Sequence, residues 1–178
     1  MKKKFWTSDK IVGLVALMIS LITLVIFVKQ TNIMEKQSRL SAMPYLLLSQ
    51  SYAGVENKFS LELVNHGVGP AIIDSTVIIY KGKVHHKEFY EFLTSELKAM
   101  DSIPVLNYAT LEKGSAIPAG GERNVLTVGG SKQAFEAFLV LFEELQENGL
   151  DFEIRYRSIY DDQWRITSET DLPEKLND

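Results

Sequence analysis

The stretch from Ile11 to Val28 holds eighteen residues without a single charge. As a helix it rises about 27 Å, close to the roughly 30 Å hydrocarbon thickness of a bilayer. Ser20 and Thr23 interrupt the apolar run, but each hydroxyl can bond back to a carbonyl of its own helix. Phe5 and Trp6 fall where interfacial aromatics sit, with Lys2, Lys3 and Lys4 just beyond them. A secretory signal has a shorter apolar region, about 7 to 15 residues, and no small-x-small cleavage site follows this one. A buried core helix is the other alternative, and length and freedom from charge favour a retained membrane span over both.

The charge distribution divides at the same place. Residues 1–40 carry seven basic side chains against Asp9 and Glu35, a net of +5; the remaining 12 basic and 21 acidic residues leave −9. An acidic domain repels phosphate backbones, which argues against nucleic acid as a partner, whereas the basic flank suits anionic lipid. Four basic residues precede the span and three follow it. The Lys2 to Lys4 cluster tips the expected orientation toward a cytoplasmic N-terminus and a domain outside.

With 178 residues, 46% of them apolar, the chain can bury one core beyond the span. It has no cysteine, so disulfides, thiolate zinc sites and thiol nucleophiles are excluded. The expected organisation is a basic flank (1–10), a transmembrane helix (11–28), a polar helical linker (29–43), a β-rich soluble domain (44–170) and a polar tail (171–178). Good helix formers fill the linker, and Pro44 ends it.

From Pro44 onward the apolar period shifts toward two. Strands are expected at Tyr45 to Tyr52, around Phe59, Leu61 and Leu63, at Ala71 to Tyr80, Tyr108 to Leu111, Glu122 to Val128, and in a hairpin of Phe152 to Tyr160 with Trp164 to Thr167. The β-branched run Ala71 to Tyr80 reads as a central strand. Helical spacing appears in His86 to Met100 and in Ser131 to Asn148, the latter with Ser131 as N-cap and Asn148-Gly149 as stop. These elements predict an α+β fold: a β-sandwich-like domain of about seven strands with two inserted helices, preceded by one transmembrane helix.

The most distinctive connection is Asn65-His66-Gly67-Val68-Gly69-Pro70-Ala71. Asn65 and the two glycines tolerate positive φ and Pro70 holds Gly69 extended, so Asn65, Gly67, Gly69 and Pro70 are read as a structural turn. A phosphate cradle is the weaker reading, because a β-branched strand rather than a helix follows and Pro70 lacks an N–H. With this turn, the Pro44-Tyr45 strand entry and Tyr156-Arg-Ser-Ile-Tyr160-Asp-Asp, the chain resembles a type of small bacterial membrane protein. In that type an N-terminal span precedes a β-rich domain. The resemblance implies this architecture and a bacterial cell membrane, and no activity.

His66, His85 and His86 lack the spacing of a metal set, and Asp161 and Asp162 read as turn residues. No nucleophile elbow is present. No cofactor or metal is expected, and the chain reads as a non-enzymatic, membrane-anchored binding or accessory module for a protein partner. The alternative is a tethered sensor that binds a small ligand through the last hairpin, with Tyr156, Tyr160 and Trp164 stacking and Arg155 or Arg157 pairing an anion. Alternation along a strand separates the tyrosines from the arginines, which weighs against a shared pocket.

Overall fold

The computed structural model describes residues 8–168, 170 and 172–176; Lys2 to Lys4, Phe5 and Trp6, which carry the interfacial and orientation readings, lie outside them. The chain divides into two compact units between Ser41 and Ala42.

The first unit is one helix, α1 (Ser8–Ser41), without a buried residue. It is long and apolar enough to cross a membrane. The expected span and linker form a single continuous element, because nothing between Val28 and Ser41 interrupts helical hydrogen bonding. Ser20 Oγ and Thr23 Oγ1 donate to the carbonyls of Ala16 and Ile19 at 2.9 and 2.8 Å, which keeps both hydroxyls satisfied within the apolar stretch. An Arg39–Glu35 pair one turn apart marks the polar end.

The second unit is an α+β domain with two antiparallel sheets. In chain order its elements are β1 (Leu46–Ala53), β2 (Lys58–Asn65), β3 (Ala71–Tyr80), β4 (Lys83–His85), α2 (Phe89–Glu96), a 3-10 turn (Lys98–Ser102), β5 (Val105–Tyr108), β6 (Ala116–Ile117), β7 (Glu122–Gly129), α3 (Lys132–Glu147), β8 (Asp151–Arg157), β9 (Gln163–Thr167) and β10 (Glu174–Lys175). One sheet runs β1-β2-β7-β5; the other runs β10-β9-β8-β3-β4, with β6 also pairing β3.

Burial follows the two-residue period where it was expected. Phe59, Leu61, Leu63 and Asn65 of β2 are buried while their alternate neighbours are half-buried. Phe59 meets Phe138 and Phe142 of α3 at ring separations of 5.0 and 5.1 Å, so α3 covers the first sheet with its aromatic stripe. Ser131 Oγ accepts from the Ala134 amide, and Gly149 closes α3 at φ +77°.

Several expectations shift. Ten strands replace about seven among the described residues, and the additional β4, β6 and β10 are only two or three residues long. Helical spacing over His86 to Met100 resolves into α2 and a 3-10 turn, because Leu97 adopts extended angles and interrupts the ladder. His85 pairs with Ile78 as the end of β4. The fifth strand lies at Val105 to Tyr108 rather than Tyr108 to Leu111, since the Leu111 amide donates to the Glu88 carboxylate instead of a ladder.

The polar tail is corrected in part. Glu174 and Lys175 pair with Arg165 and Trp164, with Lys175 Nζ 5.6 Å from the centre of the Trp164 ring. Asp171, Asn177 and Asp178 lie outside the described residues.

Candidate functional site

Asn65 ends β2 fully buried, and its carboxamide is used on both sides. Oδ1 accepts from the amides of Tyr45 and Gly67 at 3.1 and 3.0 Å; Nδ2 donates to the carbonyls of Gly69, Ile117 and Pro118 at 2.8, 3.0 and 3.2 Å. The main chain adds Asn65 N to Gly121 O and Gly120 N to Asn65 O, both 2.9 Å. One side chain therefore ties together the entry to β1, the 65–70 connection and the loop before β7.

Gly67 and Gly69 are not in the left-handed region, which corrects the expected reason for them. A Cβ on Gly67 would lie 2.4 Å from Met43 O and Tyr45 N, and one on Gly69 would lie 2.0 Å from Ala42 O. Close passage of two backbones, not positive φ, demands glycine here. The amides of His66, Val68 and Gly69 all donate to the carbonyls of Tyr45 and Met43. With Gly67 N given to Asn65, the loop's donors are used internally and none is directed at an anion.

The hairpin residues separate into two environments. Tyr156 and Trp164 are buried and stacked at 5.8 Å, and the Tyr156 hydroxyl accepts from the Leu46 amide. Burial pushes the Tyr156 phenol up to about 12, the hydrogen bond from Leu46 opposing it. Tyr160 is exposed beside the Ser158–Asp162 connection, where Asp161 takes φ +61°. Arg155 pairs with Glu153, and Arg157 with Asp74 and Asp161. The five residues do not form one open surface: packing takes Tyr156 and Trp164 into the core, while both guanidinium groups are held by carboxylates.

Among the described residues no three metal-ligating side chains cluster. His85 lies edge-on to Phe92 with Nδ1 3.9 Å from Glu96, whose carboxyl is held below its usual range by Lys87 at 2.8 Å.

A feature that sequence reasoning did not identify is an open cavity of about 290 Å3. Leu47, Leu48 and Gln50 of β1 and Leu61 of β2 form one side. Phe152 of β8 and Leu150 just before it, with Ile166 and Thr167 of β9, form the other. Phe142 and Gln146 of α3, Phe89, Ser168 and Thr170 complete it. Its walls are apolar, its polar groups are uncharged, and none of its lining side chains is acidic or basic. The one signal in the sequence was Gln50, a polar residue in register with the inward positions Leu46 and Leu48.

No protein family, no curated protein and no solved structure matches this chain.

Proposed function

We propose that this chain is a non-catalytic module, anchored by α1 in a bacterial cell membrane, whose domain docks a protein partner. The supporting observation is α1 itself: its most apolar eighteen residues find no interior to bury them and precede a separately cored domain. About 25 cal/mol per Å2 of exposed apolar surface makes lipid the favoured surroundings for such a helix. The Asn65-to-Ala71 turn, shared with the bacterial membrane proteins the chain resembles, supports the choice of membrane. The basic Lys2 to Lys4 supports a cytoplasmic N-terminus and a domain on the other side.

Within this reading the domain is a β-sandwich. Support comes from a core assembled from both sheets, with Leu46, Phe59 and Leu61 from one and Ile73, Ile154 and Tyr156 from the other. The test is fractionation followed by crosslinking in native membranes and reciprocal purification of whatever is crosslinked. Sedimentation with membranes and one reproducible partner are expected. Full-length chain in the detergent-free supernatant overturns the anchor, and repeated recovery of the chain alone overturns the docking role.

A second reading, a tethered small-ligand sensor, draws on the 290 Å3 cavity, which takes Phe152, Ile166 and Thr167 from the hairpin, rather than on Tyr156, Tyr160 and Trp164. Thermal-shift screening against nucleotides and neutral metabolites tests it, and a flat response throughout removes it.

A further inference from the structure

We infer that β1 is a docking edge: an extended segment of a protein partner adds beside residues 48–53 as an outer strand and lowers one large apolar side chain into the cavity beneath. The inference rests on the protein-docking reading above and specifies how the partner is held.

β1 closes one end of its sheet, with β2 as its one neighbour among the described strands. The direction of its backbone groups follows from two bonds. Tyr45 O accepts from His66 N on the β2 side, whereas Leu46 N leaves β2 to reach the Tyr156 hydroxyl. Strand alternation then turns the N–H and C=O groups of Leu48 and Gln50 away from β2. Among the described residues none bonds to them. They are the donors and acceptors that an added strand takes up.

Proteins ordinarily blunt such edges with lysine, proline, bulges or brevity. The remaining edges here follow that practice: β5 is four residues long with a register shift, β4 carries Lys83, β6 is two residues long, and β10 is two residues long with Lys175. β1 pairs with β2 in unbroken register over eight residues and contains neither charge nor proline. It is the open template among the described strands.

The cavity supplies the specificity. Leu48 and Gln50 share the inward face with Leu61, so an inward side chain of an added strand points between the sheets toward Ile166 and Thr167. A volume of about 290 Å3 lies just below the roughly 300–1,000 Å3 range of small-molecule sites and suits a single Phe or Leu. Charge selects the occupant. Residues 41–178 carry 12 basic against 21 acidic side chains, so a second copy meets repulsion while a Lys- or Arg-flanked segment is attracted.

The test pans phage-displayed random dodecapeptides on the full-length chain in detergent micelles. Enriched peptides should share one large apolar residue with basic flanks and should slow amide exchange at Leu48 and Gln50. Q50P removes an outward N–H without touching the β2 ladder, and Leu48→Trp fills the cavity. Each should weaken a synthetic winner at least tenfold while near-UV circular dichroism shows the fold intact. No enrichment, or binding that survives both substitutions, overturns the docking edge, as does an inter-copy disulfide formed by Gln50→Cys. A membrane partner whose binding Q50P leaves unchanged overturns the edge and leaves the docking role standing. Failure to find any partner overturns both.

Discussion

The hydroxyl of Tyr156 accepts the Leu46 amide at 3.3 Å and joins residues 110 positions apart in the chain. It links the outer strand of one sheet to an interior strand of the other, so a single polar atom closes the core where Leu46 would otherwise bury an unpaired N–H. Tyr156→Phe should cost about 1–3 kcal/mol, the range for leaving a buried donor unsatisfied. Chemical denaturation of the full chain in micelles, followed by near-UV circular dichroism, measures it; an unchanged midpoint removes this role.

The same phenol gives a pH dependence. Its folded value is raised to about 12 from 10, so between these values the unfolded state releases the proton first and stability falls as pH rises. The contribution is whole below pH 10 and declines by roughly 2–3 kcal/mol by pH 12, at about 1.4 kcal/mol per unit. Tyr156→Phe should flatten this alkaline limb relative to the parent. Parallel alkaline limbs in the two proteins would exclude Tyr156 as its source.

Asn65 holds three segments through five side-chain bonds. Asn65→Asp keeps the acceptor and replaces the donor with an oxygen facing three carbonyls, so it should be at least as damaging as Asn65→Ala. Both should lose about 3 kcal/mol or more, given about 1–3 kcal/mol for each buried group left unpaired. Midpoints within experimental error of the parent would show that the node is dispensable.

Gly69→Ala drives a Cβ to 2.0 Å from Ala42 O, a backbone atom that cannot swing aside. It should destabilise by at least the roughly 1–3 kcal/mol expected of an ordinary small-to-large strain. Gly54→Ala, with open space and no positive φ, should be neutral or gain up to about 1 kcal/mol through the unfolded chain. Equal effects at the two positions would refute the close-approach account.

If α1 lies in lipid, Leu21→Arg places a charge mid-span at a cost of about 2.5–3.5 kcal/mol. Carbonate extraction should then release the variant, or its abundance should fall, while the parent stays in the pellet. A variant that resists extraction as well as the parent would count against insertion.

Legibility in the sequence followed how local the cause was. The ends of α3 were readable because Ser131 and Gly149 act within one turn of the helix they bound. β2 was readable because Phe59, Leu61 and Leu63 record their own burial. β4, β6 and β10 were not, since two or three residues become a strand only when a partner from elsewhere arrives. Tyr156 was assigned to the correct strand face, but alternation does not say which face is core. The glycines at 67 and 69 were recognised as necessary for the wrong reason, because their obstacle is the Ala42–Tyr45 backbone, more than twenty residues away in the chain. The cavity exists only where β1, β9 and α3 come together, and only Gln50 hinted at it.

Asn65 waits on carbonyls more than fifty residues ahead of it. A chain still emerging from the ribosome therefore lacks two of the three acceptors of that amide until Pro118 is free. One carboxamide thus ties the completed end of β2 to the synthesis of a segment far downstream.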